Sequence, residues 1–386
     1  MKHYLLFGTH PELSLAEARA VLGKTVEPWM GSMGIVDSPS FDANAMQERL
    51  AGVVKLGEII SEIETLDVTE LASHIADQIE ARPRAARVLF GLTLAGTPKD
   101  KDRFKKLPIE LKRKIQANGH GVRWVTGDKG DISPAAISKL ALTTEGYDFV
   151  VAIDKKKVTI GLTTNAQNAD AWSDRDFGRP FRDAKTGMLP PKLARMMVNL
   201  SAVNTGVLLD PFCGGGTVLM EAAMMFPTLK LIGSDLDSKQ VSGTTRNFEW
   251  LKSNNFVAKE NEPILLTSPA QKVDSQVESN SVDVIVTEGY LGKPLQNEET
   301  ELALQTNKRE VEKIWNEALP VLVKLLKPRG RLVCVWPAFV SNQGLLKTDA
   351  STAAEKAGLI RIAGPIAYGR PDQRLVRNLF VFEKYT

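Results

Sequence analysis

The run Leu208-Leu209-Asp210-Pro211-Phe212-Cys213-Gly214-Gly215-Gly216-Thr217 constrains this chain more than any other stretch. It follows a strand-like segment at 207–209 and opens a helical pattern at 218–226. Three glycines let the turn bend tightly and let a ligand approach the backbone. The free N–H groups at the start of the helix favour a carboxylate or a phosphate. A plain strand-to-helix turn rarely needs three consecutive glycines. Downstream the pattern alternates. Segments 230–233, 264–267, 282–287 and 331–336 read as strands, and 239–252 and 308–326 as helices. This rhythm predicts a parallel sheet with helices on both faces. Strand-like segments at 364–368 and 375–382 flank the turn Gly369-Arg370-Pro371-Asp372, which predicts a terminal hairpin and an antiparallel strand in the sheet.

The chain has 386 residues, enough for two or three domains. The segment before the glycine run reads as mixed strands and helices. Residues 4–7 and 87–92 are strand-like, and 68–79 has helical spacing. Ser14 is expected as an N-cap with Glu17 as its capping-box partner. Residues 149–153 and 158–162 read as a hairpin about the polar turn Asp154-Lys155-Lys156-Lys157. The net charge is only +3, yet base concentrates between Lys101 and Lys129. There Lys105, Lys106, Lys112, Lys114, Arg113 and Arg123 are opposed only by Asp102, Glu110 and Asp128. A charge run is ordinarily a solvated helix face. Its concentration beside Trp124 makes these six residues the candidate RNA contacts, through the phosphate backbone. Arg175, Arg179 and Arg182 either continue that path or pair with Asp174, Asp176 and Asp183.

A nicotinamide site is the competing reading of the glycine run. It usually shows G-x-G-x-x-G without a preceding acid. Here Asp210-Pro211 precedes the glycines and Leu219 stands where a third spaced glycine is needed. An acid at that point suits a cofactor that carries an ammonium group. Asp235 follows at the end of the next strand, where a carboxylate accepts both hydroxyls of a ribose. Cys213 reads as a small packing residue.

At these residues the chain resembles a known group. The glycine run and the segment Arg179-Pro-Phe-Arg-Asp-Ala-Lys-Thr-Gly-Met-Leu-Pro-Pro-Lys-Leu-Ala-Arg-Met-Met-Val-Asn-Leu are similar to the THUMP-domain tRNA guanine-N2-methyltransferases of archaea and eukaryotes. So is the opening Gly8-Thr-His-Pro-Glu-Leu-Ser-Leu-Ala-Glu17. The resemblance implies a seven-stranded, Rossmann-like class I methyltransferase domain over 190–386 that uses S-adenosylmethionine. Before it the resemblance implies an α+β region: a ferredoxin-like unit over 1–62, a THUMP-like RNA-binding domain over 63–165 and a linker over 166–189. It implies that Met188 to Leu193 lines the methionine end of the cofactor. With Met188 and Pro190, the candidate cofactor residues are Asp210, Phe212, Gly214, Gly216, Asp235, Leu236 and Ser268. Ser268 stands where the family has an acid for the adenine amine; a loop with no ligand role is the other reading. The implied partner is tRNA or another structured RNA, and some relatives act with a small activator protein.

The family carries Asp-Pro-Pro-Tyr after the fourth strand of the domain. Here the chain reads Thr287-Glu288-Gly289-Tyr290-Leu291. Glu288 stands at the acid. Tyr290 serves as the stacking ring in a shortened loop, or Leu291 stands at the tyrosine position. A guanine amine is a poor nucleophile because its lone pair is delocalised into the ring. A carboxylate that accepts its hydrogens stabilises charge developing on nitrogen, and an aromatic ring holds a flipped base. Glu288 and Tyr290 are therefore the candidate catalytic residues. An rRNA or DNA amine as substrate, or an RNA-binding protein that has lost catalysis, are the alternatives.

Two cysteines without C-x-x-C spacing and four scattered histidines argue against a metal site. The expectation is a cytoplasmic protein without a membrane partner: its lone thiols suit a reducing compartment and it has no apolar run of ~18 residues.

Overall fold

The computed structural model describes residues 1–386 except 24, 128–130, 184–187, 259–261, 296–299, 371–372 and 386. Asp128 and Lys129 of the basic stretch, 184–187 of the segment before the glycine run, and Pro371-Asp372 of the expected turn fall outside the described residues. The chain forms two compact units, Met1–Trp172 and Ser173–Thr386.

The first unit runs β1 (Lys2–Phe7), α1 (Pro11–Leu22), β2 (Val26–Trp29), β3 (Met33–Asp37), α2 (Ala43–Arg49), β4 (Val53–Glu64), α3 (Val68–Glu80), β5 (Arg87–Ala95), α4 (Pro98–Phe104), α5 (Leu107–Ala117), β6 (Gly121–Trp124), α6 (Pro134–Lys139), β7 (Tyr147–Asp154) and β8 (Lys157–Ala166). Its strands form one sheet in the order β2-β3-β1-β4-β8-β7-β5-β6. Twelve-residue β4 joins the halves by pairing antiparallel with both β1 and β8. Leu71, Ile75 and Ile79 of α3 and Leu107, Leu111 and Ile115 of α5 share a core with Phe90, Tyr147 and Phe149 of the sheet. A buried ion pair, Lys55 Nζ to Asp148 Oδ2 at 3.2 Å, ties β4 to β7.

The start of α1 differs from expectation. Pro11 takes the first turn, where its missing N–H costs nothing, and His10 is the N-cap without a side-chain bond. Ser14 lies inside the helix, its hydroxyl donating to the His10 carbonyl at 2.9 Å. Glu17 is buried and accepts the backbone N–H groups of Ala51 and Gly52 at 2.9 and 2.8 Å. Both residues therefore leave the predicted cap for other partners.

After α7 (Ala169–Ser173) and a π-helical turn (Asp174–Gly178), the second unit runs α8 (Pro191–Leu200), β9 (Val207–Asp210), α9 (Thr217–Met225), β10 (Lys230–Asp235), α10 (Ser238–Ser253), β11 (Ile264–Thr267), β12 (Val282–Thr287), α11 (Glu301–Leu325), β13 (Leu326–Ser341), β14 (Gly344–Lys347), α12 (Ala350–Lys356), β15 (Leu359–Tyr368) and β16 (Leu375–Lys384). The sheet order is β11-β10-β9-β12-β13-β16-β15, with short β14 paired to β13. The first five strands are parallel, and β16 inserts antiparallel between β13 and β15. This is the expected seven-stranded α/β sheet with its terminal hairpin. Helix α11 begins at Glu301, earlier than the expected 308, because Thr300 caps it by accepting the Ala303 N–H at 3.2 Å. Its Trp315 is fully buried, stacked on Trp336 with ring centroids 5.2 Å apart. Reversal of strand order between β10-β9 and β12 opens a crevice at the carboxyl ends of the strands, where ligands of such sheets bind.

Candidate active site

The glycine run forms the turn from β9 to α9. Gly214 and Gly216 have φ of +51° and +80°, left-handed values that favour glycine. A Cβ on Gly216 would lie 2.6 Å from Thr244 Cγ2, so close packing excludes a side chain there as well. Three bonds fix the loop. Cys213 N–H donates to the Ser234 carbonyl at 2.9 Å, Gly214 N–H to Asp235 Oδ2 at 2.9 Å, and Thr244 Oγ1 to the Gly214 carbonyl at 2.7 Å. Asn247 of α10 ties in the segment before α8. It accepts Phe181 N–H at 2.9 Å, and its amide donates to the carbonyls of Phe181 and Gly215 at 3.1 and 2.8 Å.

These elements surround a cavity of about 610 Å³. Met188, Asp210, Phe212, Gly214, Asp235, Leu236, Glu288 and Tyr290 all line it, eight of the eleven candidate cofactor and catalytic residues. Gly216 is the N-cap of α9 and Pro190 that of α8. Ser268 is 5% exposed, and its carbonyl accepts the Ser234 hydroxyl at 2.7 Å. Pro269, Ala270 and Gln271 form the wall beside it.

Asp210 is 2% exposed, and its carboxylate accepts the Phe212 N–H at 3.2 Å. Burial pushes its pKa up to about 7. Hydrogen bonds from Thr287 and Phe212 oppose the rise, and the nearby charges of Asp235 and Glu288 add to it. Asp235 is also raised, chiefly by burial, although it accepts the N–H groups of Gly214 and Asp237. Burial likewise holds the Cys213 thiol well above its ordinary value, which makes it a poor nucleophile. It packs, as expected.

Beyond β12, Gly289 has φ +70°, and a Cβ there would meet the Trp315 ring at 2.3 Å. The glycine, expected from the resemblance at the position of a proline, is thus fitted to a tryptophan behind it. Asn307 of α11 clamps the far side of the loop, accepting Lys293 N–H at 3.1 Å and donating to its carbonyl at 3.2 Å. Tyr290 is half-buried, and burial with the charge of Glu310 pushes its hydroxyl up to about 12. It is a neutral ring at any physiological pH.

The three arginines before α8 take different places, and Arg377 and Gln240 join the site unannounced by the sequence. Arg179 is 3% exposed and lines the cavity, donating to Thr217 Oγ1 at 2.6 Å. Arg175 is also buried, paired with Glu221 at 3.0 Å. Burial lowers both guanidinium pKa values, and the charges of Asp174 on Arg175 and Asp176 on Arg179 oppose that fall, so the neighbouring aspartates act as electrostatic partners. Arg182 is exposed, over the Phe177 ring at 5.0 Å. Arg377 of β16 donates from Nε to Glu288 Oε1 at 2.6 Å; nothing local in the sequence marks it. Gln240 donates to Asp183 at 2.8 Å, both on the cavity wall.

The six candidate RNA residues lie in the first unit. Lys105 and Lys106 join α4 to α5, Lys112, Arg113 and Lys114 lie on α5, and Arg123 is on adjacent β6. Five are exposed and Lys114 is partly so. Lys105 and Arg113 make surface ion pairs with Asp102 and Glu110. Among the described residues, no cluster of metal-ligating side chains is present and no helix is long and apolar enough to cross a membrane.

Comparison with known proteins agrees with this geometry. The tRNA (guanine(10)-N2)-dimethyltransferase of Methanothermobacter thermautotrophicus is 27% identical over 350 residues, 89% of this chain and 90% of that protein. The enzyme of the same name from Methanocaldococcus jannaschii is 35% identical over 153 residues, 39% of this chain and 38% of its own. The crystal structure of TrmN from Thermus thermophilus shares the fold, with a TM-score of 0.58 at 18% identity over the whole of both chains. Residues 179–362 match the family described as "RMKL-like, methyltransferase domain" (UPF0020). They span the cavity and most of its sheet, and this part of the chain is similar to the methyltransferase domain of that family, an S-adenosylmethionine-dependent class I methyltransferase.

Proposed function

We propose that the protein transfers a methyl group from S-adenosylmethionine to the exocyclic N2 of a guanine in tRNA. The observation that carries this reading is the convergence of Glu288 and Tyr290 on the same cavity as the glycine loop, Asp210 and Asp235. The names of the relatives, tRNA guanine-N2 enzymes, support the substrate.

The residues present fit the cofactor. Asp210, Asp235 and Glu288 line one cavity, and their mutual repulsion adds to the burial that lifts Asp210 to about 7. A ligand carrying an ammonium and a sulfonium relieves that strain. Asp210 would hold the ammonium side, Asp235 the ribose hydroxyls, and the apolar side chains of Met188, Phe212 and Leu236 the remaining surface. When bound, S-adenosylmethionine supplies an electrophilic methyl: the amine lone pair forms the N–C bond, the S–C pair returns to sulfur, and nitrogen sheds one proton.

The protein's part is orientation and charge. Glu288 accepts the amine N–H, which stabilises positive charge as it develops on nitrogen and receives the departing proton for transfer to water. Tyr290 provides a face for the flipped base. The first unit, including the region 63–165 read as THUMP-like, would hold the RNA through the basic residues of α5 and β6, without reading sequence. The unpaired thiols Cys213 and Cys334 are consistent with a cytoplasmic enzyme.

The test presents labelled S-adenosylmethionine with unmodified tRNA, an rRNA fragment and duplex DNA in competition. Label in tRNA, recovered as N2-methylguanosine, is the expected result. Label in DNA or rRNA instead would overturn the substrate assignment.

A further inference from the structure

The loop that carries Glu288 has little stiffness of its own. Gly289 and Gly292 both adopt positive φ, +70° and +91°, and by the resemblance Gly289 stands where the Asp-Pro-Pro-Tyr pattern has its first proline. What fixes the Glu288 carboxylate is a side chain from the other end of the chain. Arg377 Nε donates to Glu288 Oε1 at 2.6 Å, with both side chains largely buried, 14% and 18% exposed. The topology explains the meeting. Strand β16 runs antiparallel to β13, with Arg377 opposite Pro337, so its first residues reach the carboxyl edge of the parallel strands where β12 delivers Glu288. Tyr368 of β15 is the cross-strand partner of Arg377. Its hydroxyl is raised chiefly by burial; Arg377 pulls it down and Glu288 pushes it up, so all three groups share one electrostatic neighbourhood.

A guanidinium has only donors. Its bond goes to Oε1, and Glu288 also lines the cavity, so the second carboxylate oxygen is the acceptor open to a bound base. We infer that Arg377 is a positioning residue that fixes which atom of Glu288 meets the target amine, so that the base always faces an acceptor. The assignment rests on the methyl-transfer reading above. It takes over the role that a rigid proline pair plays in the related loop, and places it on a strand more than eighty residues downstream.

The consequence is a specific pattern among variants. In Glu288→Gln, Arg377 claims the amide oxygen and turns the amide NH2 toward the base, donor against donor. In the double variant Glu288→Gln/Arg377→Met the amide is released and can rotate its oxygen to the amine. Steady-state methyl transfer to unmodified tRNA, with S-adenosylmethionine affinity and thermal unfolding measured alongside, tests this. Glu288→Gln is expected to lose about 100-fold or more in kcat at saturating cofactor. Arg377→Met is expected to lose about tenfold in kcat with little change in KM. The double variant is expected to be about tenfold more active than Glu288→Gln alone. A merely structural arginine gives the opposite, a double variant no better than the worse single one, and that result overturns the inference. So does a Glu288→Gln enzyme of wild-type activity. If Arg377→Met fails to fold, Arg377→Gln replaces it in the pair: its carbonyl can accept the amide N–H introduced by Glu288→Gln and so turn the introduced amide oxygen toward the base. A wild-type protein that transfers no methyl to any RNA overturns the underlying reading, and this assignment with it. Active wild type without recovery in the double variant overturns this assignment alone.

Discussion

At the scale of single residues, the proposed role of Asp210 in holding the cofactor's ammonium predicts that ligand binding depends on pH. Its pKa in the free protein is about 7, raised chiefly by burial. A bound cation favours the ionised form and lowers that value. Binding below about pH 7 must then displace a proton, so cofactor affinity is expected to rise between pH 6 and 7, by at most tenfold per unit, and to level off above. Titration calorimetry across that range checks the slope; Asp210→Asn should abolish it and weaken binding about 10–100-fold. The stability effect has the opposite sense. A carboxyl whose pKa is raised on folding contributes stability below its unfolded value near 4, and that contribution is lost as pH rises through 7. Asp210→Asn should therefore raise the melting temperature of the free protein at pH 8, a trade of stability against binding. Gly289 makes a second residue-scale prediction. With φ +70° and the Trp315 ring 2.3 Å from any Cβ, Gly289→Ala should cost about 1–3 kcal/mol in denaturant unfolding and reduce methyl transfer through the displaced loop. The turn at the glycine run and its place on the cavity wall were legible because the pattern is local: an acid, three glycines and a helix start within ten residues. Arg377 did not, because it reaches the site through strand order, which no spacing in the sequence encodes. Ser14 misled because Pro11 supplied a better helix start three residues earlier.

At the scale of elements, the parallel strands were legible as short apolar runs between helical patterns, and the closing hairpin from its turn residues. Less legible were ends set by tertiary partners. Strand β13 continues to Ser341 because β14 and β16 pair with it, well past the apolar run at 331–336. The segment expected as a linker at 166–189 contains the buried Arg175, Arg179 and Phe181. Its charged composition disguised residues whose partners lie on α9 and α10. Helix α5 carries the element-scale prediction. Its apolar face is buried through Leu107, Leu111 and Ile115, which leaves Lys112 exposed, as is Arg123 on β6. Lys112→Ala combined with Arg123→Ala should weaken tRNA binding, measured by filter retention across salt concentrations. The slope of log affinity against log salt should flatten by about one per residue removed. Cofactor affinity should not change. An unaltered slope would assign these residues to a solvated face.

At the scale of the whole molecule, the chain divides near Trp172 into a unit whose candidate chemistry is base and a unit whose candidate chemistry is acid, glycine and aromatic side chains. The sequence separated an opening unit at 1–62 from a region at 63–165. The structure runs one sheet through both, because β4 crosses that position and pairs on either side. A strand that serves two neighbours has no composition change to mark it. On this reading the acid–glycine–carboxylate cavity performs amine methylation on tRNA. Methyl transfer from labelled S-adenosylmethionine to unmodified tRNA, comparing wild type with Glu288→Ala, tests it most directly. N2-methylguanosine is expected with the wild type and a loss of about 100-fold or more in kcat in the variant, measured at saturating cofactor, which both proteins still bind. Equal label from the two proteins, or none from a wild type that binds both cofactor and tRNA, would contradict it.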